Sequence, residues 1–117
     1  MKELVQLKAF EIYKKKFGLI IVSLENAISL FVYEDIPTFG SFGISVPATT
    51  FMPASTLFIT GKDEDYSVRI IGEKIATKIQ KLVLVSLNVK NVSNNLLSEI
   101  IKKIEENLFM NDSSKKE

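Results

Sequence analysis

The stretch from Ser55 to Asn91 constrains the fold of this chain more than any other. It reads as strand, glycine turn, helix, strand. Its closing run, Leu82 to Val85, is unbroken and apolar, the pattern of a strand covered on both faces. Between the two strands Val68, Ile71, Ile75 and Ile79 recur at helical spacing and define one apolar stripe. Asp63, Glu64 and Asp65 crowd the expected first turn of that helix, where carboxylates cap free N–H groups. Lys78 and Lys81 lie at the other end, as the helix dipole favours. Alternation along Leu82–Leu87 predicts Val83, Val85 and Leu87 in one core layer and Leu84 in the opposite one. A strand buried on both sides needs neighbours, and the rest of the chain must supply them.

Upstream, Val5–Tyr13 (VQLKAFEIY) alternates apolar and polar residues and then shifts phase at Phe10. A strand with a bulge at the shift fits this, and a helix competes because Leu4, Leu7, Phe10 and Tyr13 fall at steps of three. The basic run Lys14–Lys16 reads as a solvated hairpin tip. Leu19–Leu24 and Ile28–Tyr33, joined at Glu25-Asn26-Ala27, read as an antiparallel hairpin. Pro37, Gly40 and Gly43 make Glu34–Gly43 a loop, Ile44–Val46 a short strand, and Ala48–Pro53 a second loop. Near the end, Leu97, Ile100, Ile101, Ile104 and Leu108 form a helical stripe over Asn94–Leu108. Ser93 is its expected N-cap, Val92 can staple against Leu97, and Glu99–Lys103 and Lys102–Glu106 can pair on the wet face. The polar residues 111–117 are expected to fray from a single domain spanning 1–110.

Six strands and two helices in this order predict an α+β fold, a six-stranded antiparallel β-sheet or sandwich packed with two α-helices. The strands carry more apolar surface than two helices can cover, so the chain is expected to dimerise.

Among 117 residues there is no histidine and no cysteine. Their absence removes Ser-His-Asp triads, Cys-His dyads, imidazole bases, disulfides and every Cys- or His-ligated metal site. An enzyme built from this chain would depend on carboxylates, lysine, tyrosine or an N-terminal nucleophile. The expectation is that the chain is not an enzyme and holds no cofactor or metal. A net charge of +1 argues against bulk electrostatic binding of nucleic acid. No apolar run approaches a membrane span, and Met1-Lys2-Glu3 does not open a signal peptide. A cytoplasmic location is expected.

The motifs with chemical echoes are weak. Gly40-Ser41-Phe42-Gly43 has the spacing of an RNA-clamping Gly-x-x-Gly loop but lacks flanking helices and basic residues. Gly61-Lys62 lacks the upstream glycine and the following Ser/Thr of a phosphate loop. Glu34, Asp35, Asp63, Glu64 and Asp65 match no calcium-loop spacing. What stands out is Phe39, Phe42, Phe51 and Met52, large apolar residues in segments expected to be loops. They either fold back onto the core or form a protein-binding patch, and they are the candidate interface residues.

In order and wording the chain resembles the proteasome assembly chaperones, specifically the small type of the third and fourth members. The resemblance runs over residues 26–108: the strand ISLFVY, the aromatic-Gly-x-x-Gly turn at Phe39–Gly43, and the short strand ISVP before a loop. LFITG with acidic residues after it follows, then the helix ending in lysines, the strand LVLVSLNVKN and an amphipathic C-terminal helix. Residues 5–24 correspond more loosely to the family's opening hairpin. The resemblance implies a non-enzymatic chaperone that binds proteasome α-type subunits and assists assembly of the α-ring, as a homodimer or a heterodimer with a paralogue. The hydrophobic-Tyr-x tail of the other assembly chaperones has no counterpart in Ser114-Lys115-Lys116-Glu117, so docking by a tail is not carried over. Two alternatives stay open: a small-ligand-binding or regulatory α+β dimerisation domain, and an enzyme gathering Glu34, Lys62, Asp63 and Glu64 in a cleft.

Overall fold

The computed structural model describes residues 4–60 and 65–110. Its elements follow in the order β1 (Val5–Ile12), β2 (Lys15–Ser23), β3 (Ala27–Glu34), β4 (Ser41–Val46), β5 (Ser55–Thr60), α1 (Asp65–Ile79), β6 (Leu82–Asn88) and α2 (Asn94–Glu105). A π-helical turn over Glu106–Met110 extends α2, with Leu108 buried in it. The acidic cap expected at Asp63 and Glu64, the turn at Gly61-Lys62 and the polar tail 111–117 lie outside the described residues.

The strands form one mixed sheet in the order β1-β2-β3-β6-β4-β5, and its single layer corrects the expectation of an all-antiparallel sheet or a sandwich within one chain. Four of the strand pairings are antiparallel, while β3 and β6 run parallel from Ala27↔Leu82 to Tyr33↔Asn88. The cause is α1. It carries the chain back along the sheet after β5, so β6 starts from the end where β3 starts, and a crossover helix is what parallel strands require. Because β4 pairs with both β5 and β6, the unit β5-α1-β6 is split by an inserted strand.

β1 is a strand, which settles the competition with a helix. It pairs with β2 continuously from Val5↔Val22 to Ile12↔Lys15, without the bulge its phase change suggested. Phe10 and Ile12 turn towards the core, whereas Val5, Leu7 and Ala9 lie on the other face, so the strand is apolar on both faces in different halves. Lys14, Lys15 and Lys16 are exposed at the tip, where Tyr13 and Lys14 turn the chain at positive φ. The register irregularity in the sheet falls instead between Phe42 and Gly43, where β4 pairs with β5, and β4 starts at Ser41 rather than at Ile44.

One face of the sheet holds the core. Phe17, Leu19, Ile21, Leu30, Val32, Val83, Val85 and Leu87 pack with Val68, Ile71 and Ile75 of α1 and with Leu97, Ile100 and Ile104 of α2. Each such buried aliphatic side chain contributes roughly 1.5–3 kcal/mol. Val83, Val85 and Leu87 thus share a layer, and Leu84 faces away, as alternation required. α1 approaches β4 closely at Gly72, where a Cβ would run into the side chain of Ser45. A polar chain crosses the same contact. Buried Ser45 Oγ donates to Thr56 Oγ1 (2.9 Å), which donates to Glu73 Oε2 (2.7 Å), where Arg69 Nε also donates (3.2 Å). Since the Thr56 proton is committed to the carboxylate, the Ser45 hydroxyl must be the donor to Thr56.

α2 begins as expected, with Leu96 N donating to Ser93 Oγ at 3.1 Å. Its surface ion pairs are shifted from those anticipated. Lys102 approaches Glu99 (3.8 Å) and Lys103 approaches Glu106 (3.9 Å), both at i,i+3 spacing. Lys78 joins the two helices, donating to Glu105 Oε2 at 3.0 Å with its ammonium over the Phe109 ring.

Candidate protein-binding surface

Both helices lie on one face of the sheet, so alternation sends half of each strand's side chains into the open on the other face. Cross-strand register arranges them in rows. Val5, Val22, Ser29, Leu84, Ile44 and Leu57 form one row, and Leu7, Ile20, Phe31, Ser86 and Phe42 the next. Leu7 is 71% exposed, Leu57 64%, Val5 50% and Val46 46%, and Ile20, Phe31, Ile44 and Leu84 are half-buried. The face is free of charge until its rim, where Glu11 stands opposite Lys16. It is also smooth: the Tyr33 ring lies across Gly18, where a Cβ could not fit. Six strands about 4.8 Å apart and some 20 Å long give a footprint on the order of 500 Å². A contiguous apolar patch of that size is among the largest a monomeric protein exposes, and such patches are often functional.

The four apolar residues singled out from sequence fall at opposite ends of β4. Phe42 belongs to the strand itself, half-buried on the open face, and the exposed Phe39 packs against it with ring centroids 5.2 Å apart and the rings tilted by 33°. The approach to β4 is pressed against β6. Gly40 N donates to Ser86 Oγ (2.9 Å), and a Cβ at Gly40 would collide with the Leu87 carbonyl. Ser86, although on the open side, is thereby fully buried. Phe39 and Phe42 are therefore continuous with the open face.

Phe51 and Met52 lie past the other end of β4, 91% and 65% exposed. Their loop is tied to the helical layer: Ala48 N donates to Thr77 Oγ1 (3.2 Å) and Gln80 Nε2 to the Ala48 carbonyl (3.4 Å). Thr49 closes the tip. Its hydroxyl accepts from the amides of Phe51 (3.3 Å) and Met52 (3.0 Å), and its own amide donates to the Met52 carbonyl (2.7 Å). The structure thus brings the candidates together in two pairs, not as one cluster.

Of the open-face residues in β1, β5 and β6 only Leu84 was placed individually from sequence; the others were signalled by the excess of apolar strand surface. At the end of the sheet bearing Phe39, a small recess of about 100 Å³ is lined by Glu34, Asp35, Asn88 and Lys90. Its lining is polar, with Lys90 N donating to Glu34 Oε1 (3.2 Å), unlike the apolar pocket a small-ligand domain needs. Glu34 lines it, while Lys62, Asp63 and Glu64, the other members of the cleft considered from sequence, lie outside the described residues. No group of potential metal ligands occurs among the described residues. No helix among them is long and apolar enough to cross a membrane.

Against known proteins, the informative likeness is one of shape. The chain superposes on a chain of the crystal structure of a novel chaperone complex for yeast 20S proteasome assembly with a TM-score of 0.65, covering 91% of this chain and 96% of that one. The fold resembles that of a chain in that assembly-chaperone complex. Sequence identity over the match is 15%, so the likeness lies in architecture rather than in shared side chains. No family model matches the chain, and no curated protein does.

Proposed function

We propose that this chain is a non-enzymatic chaperone that binds proteasome α-type subunits and assists assembly of the core-particle α-ring, acting as a homodimer or as a heterodimer with a paralogue. The observation that carries the reading is an uncovered, charge-free sheet face on a fold shared with a chaperone for proteasome assembly. Two such faces in contact would bury on the order of 1,000 Å², near the lower bound for a specific association. The charge-free centre and charged rim match the anatomy of interfaces that associate and exclude water.

A pairing of this kind leaves the loops at the two ends of the sheet to hold a client. An assembly chaperone must also release its client, and an interface of standard size or smaller suits that requirement. The reading is tested by co-purification of the tagged full chain from its native cell, with the bound chains identified by mass spectrometry and sedimentation run on the pure protein. Recovery of one or more α-type subunits together with a dimer is the expected result. A monomer at micromolar concentration with no paralogue partner, or the absence of every α-type subunit, would overturn it.

A further inference from the structure

We infer that the four apolar candidates serve two different surfaces: Phe39 and Phe42 belong to the seam closed by dimerisation, and Phe51 with Met52 forms a separate, pre-shaped knob that enters an apolar pocket rimmed by carboxylates on the client. The inference rests on the chaperone reading above and divides its binding residues. Phe42 shares a register row with Phe31, Ile20 and Leu7, and the Phe39 ring packs against it, so a copy that covers the face covers them. Phe51 cannot share that fate by the same route. Its loop is anchored to Thr77 and Gln80 at the end of α1, on the side of the sheet away from the open face.

The knob is built rather than loose. Pro47 and Pro53 bracket it, and Thr49 fixes both amides of the tip by side-chain hydrogen bonds. The result is a phenylalanine held 91% exposed by a closed turn, which no packing need within the chain explains. An aromatic anchor presented in a fixed conformation loses little entropy on docking. The electrostatic surroundings state the partner's chemistry. The whole segment Val46–Leu57 is uncharged. On α1, Glu73 is engaged by Thr56 and Arg69, and Lys78 is engaged by Glu105 of α2. Lys74, exposed, lies one turn before the anchor Thr77, and half-buried Lys81 directly follows the anchor Gln80, so the uncharged loop is tied down where α1 carries two lysines.

Because the chain has no cysteine, one introduced thiol reports on one position. Phe42→Cys and Phe51→Cys are made separately in the full chain, and alkylation rates are measured in the pure protein at dilute and assembling concentrations, then with purified α-type subunits added singly. Phe42→Cys should become protected on self-assembly while Phe51→Cys keeps the rate of an open thiol. Phe51→Cys should then become protected only with the bound subunit. In parallel, Phe51→Ser should weaken subunit binding by about thirtyfold without changing the sedimentation of the dimer. Thr49→Ala should weaken it less, and Lys74→Glu should weaken it with a flatter salt dependence. If an α-type subunit binds but leaves Phe51→Cys reactive, or if self-assembly protects that thiol, the division is wrong while the chaperone reading survives. If none binds the intact protein, both fail.

Discussion

Leu84 and Leu87 occupy one strand and differ in what lies above them, which makes them a test of the open face. Leu87 is fully buried beneath the helices, whereas Leu84 is half-buried on the side that the chain leaves uncovered. Truncation to alanine removes about three methylene equivalents, or ~2.4 kcal/mol of transfer free energy at ~0.8 kcal/mol each. At Leu87 a sealed cavity adds to this, so Leu87→Ala should cost about 3–5 kcal/mol at every protein concentration. At Leu84 in a single copy, part of the side chain is wet in both states and no cavity closes. Leu84→Ala should then cost about 1 kcal/mol.

Association changes only one of these numbers. Covering the face seals the Leu84 site, and the cost there should rise to about 2–4 kcal/mol per copy. Urea unfolding followed by circular dichroism, at a concentration where sedimentation shows monomer and at one where it shows dimer, separates the two cases. The parent itself should gain about 0.7 kcal/mol of apparent stability per copy (about 1.4 per dimer) for each tenfold rise in concentration when folding is coupled to dimerisation. Equal costs for the two variants in dilute solution would show that the face is closed within one chain. A cost at Leu84 indifferent to concentration, while the parent's midpoint moves, would place the dimer contact elsewhere.

Three further outcomes follow from the contact between α1 and the sheet and from the start of α2. Thr56→Val strands the Ser45 hydroxyl and one Glu73 contact, and thermal unfolding should register a loss of about 1–3 kcal/mol. Gly72→Ala places a methyl group into Ser45 and should cost about 1–3 kcal/mol in urea titration, with much of the loss recovered in the double variant that adds Ser45→Gly. Ser93→Ala removes the acceptor for Leu96 N and should lower stability by about 1 kcal/mol, with α2 losing hydrogen-exchange protection first.

Most of the architecture was legible in local pattern. The stripes Val68-Ile71-Ile75 and Leu97-Ile100-Ile104 announced both helices, and the Asn-containing turn at Asn26 announced its hairpin. Strand direction was not legible, because periodicity is the same whichever way a strand runs. It was decided by whether α1 brings the chain back to the start of β3, a property of connection and not of any residue in β6. The boundary of β4 was missed for a related reason. Gly40 and Gly43 read as breakers, yet Gly43 pairs with Val85 inside the sheet and Gly40 is needed where the chain presses on the Leu87 carbonyl.

The binding surface was half legible, and the half that was missing is instructive. Val5, Leu7 and Ala9 in β1 and Leu82 and Leu84 in β6 were visible as apolar residues of the wrong parity for a one-sided sheet. Parity alone cannot say whether a second layer comes from the same chain or from another. Counting does: the described residues hold two apolar helical stripes, both packed on the face of Leu19, Leu30 and Val85, and among them none is left for the face of Leu84. An apolar strand phase in excess of the helices available to cover it is thus the sequence signature of an interface. By that rule Phe42, whose phase in β4 matches Ile44, belongs to the uncovered sheet, whereas Phe51, in no strand and held by Thr49, falls outside the rule and is the residue for which a different partner is proposed.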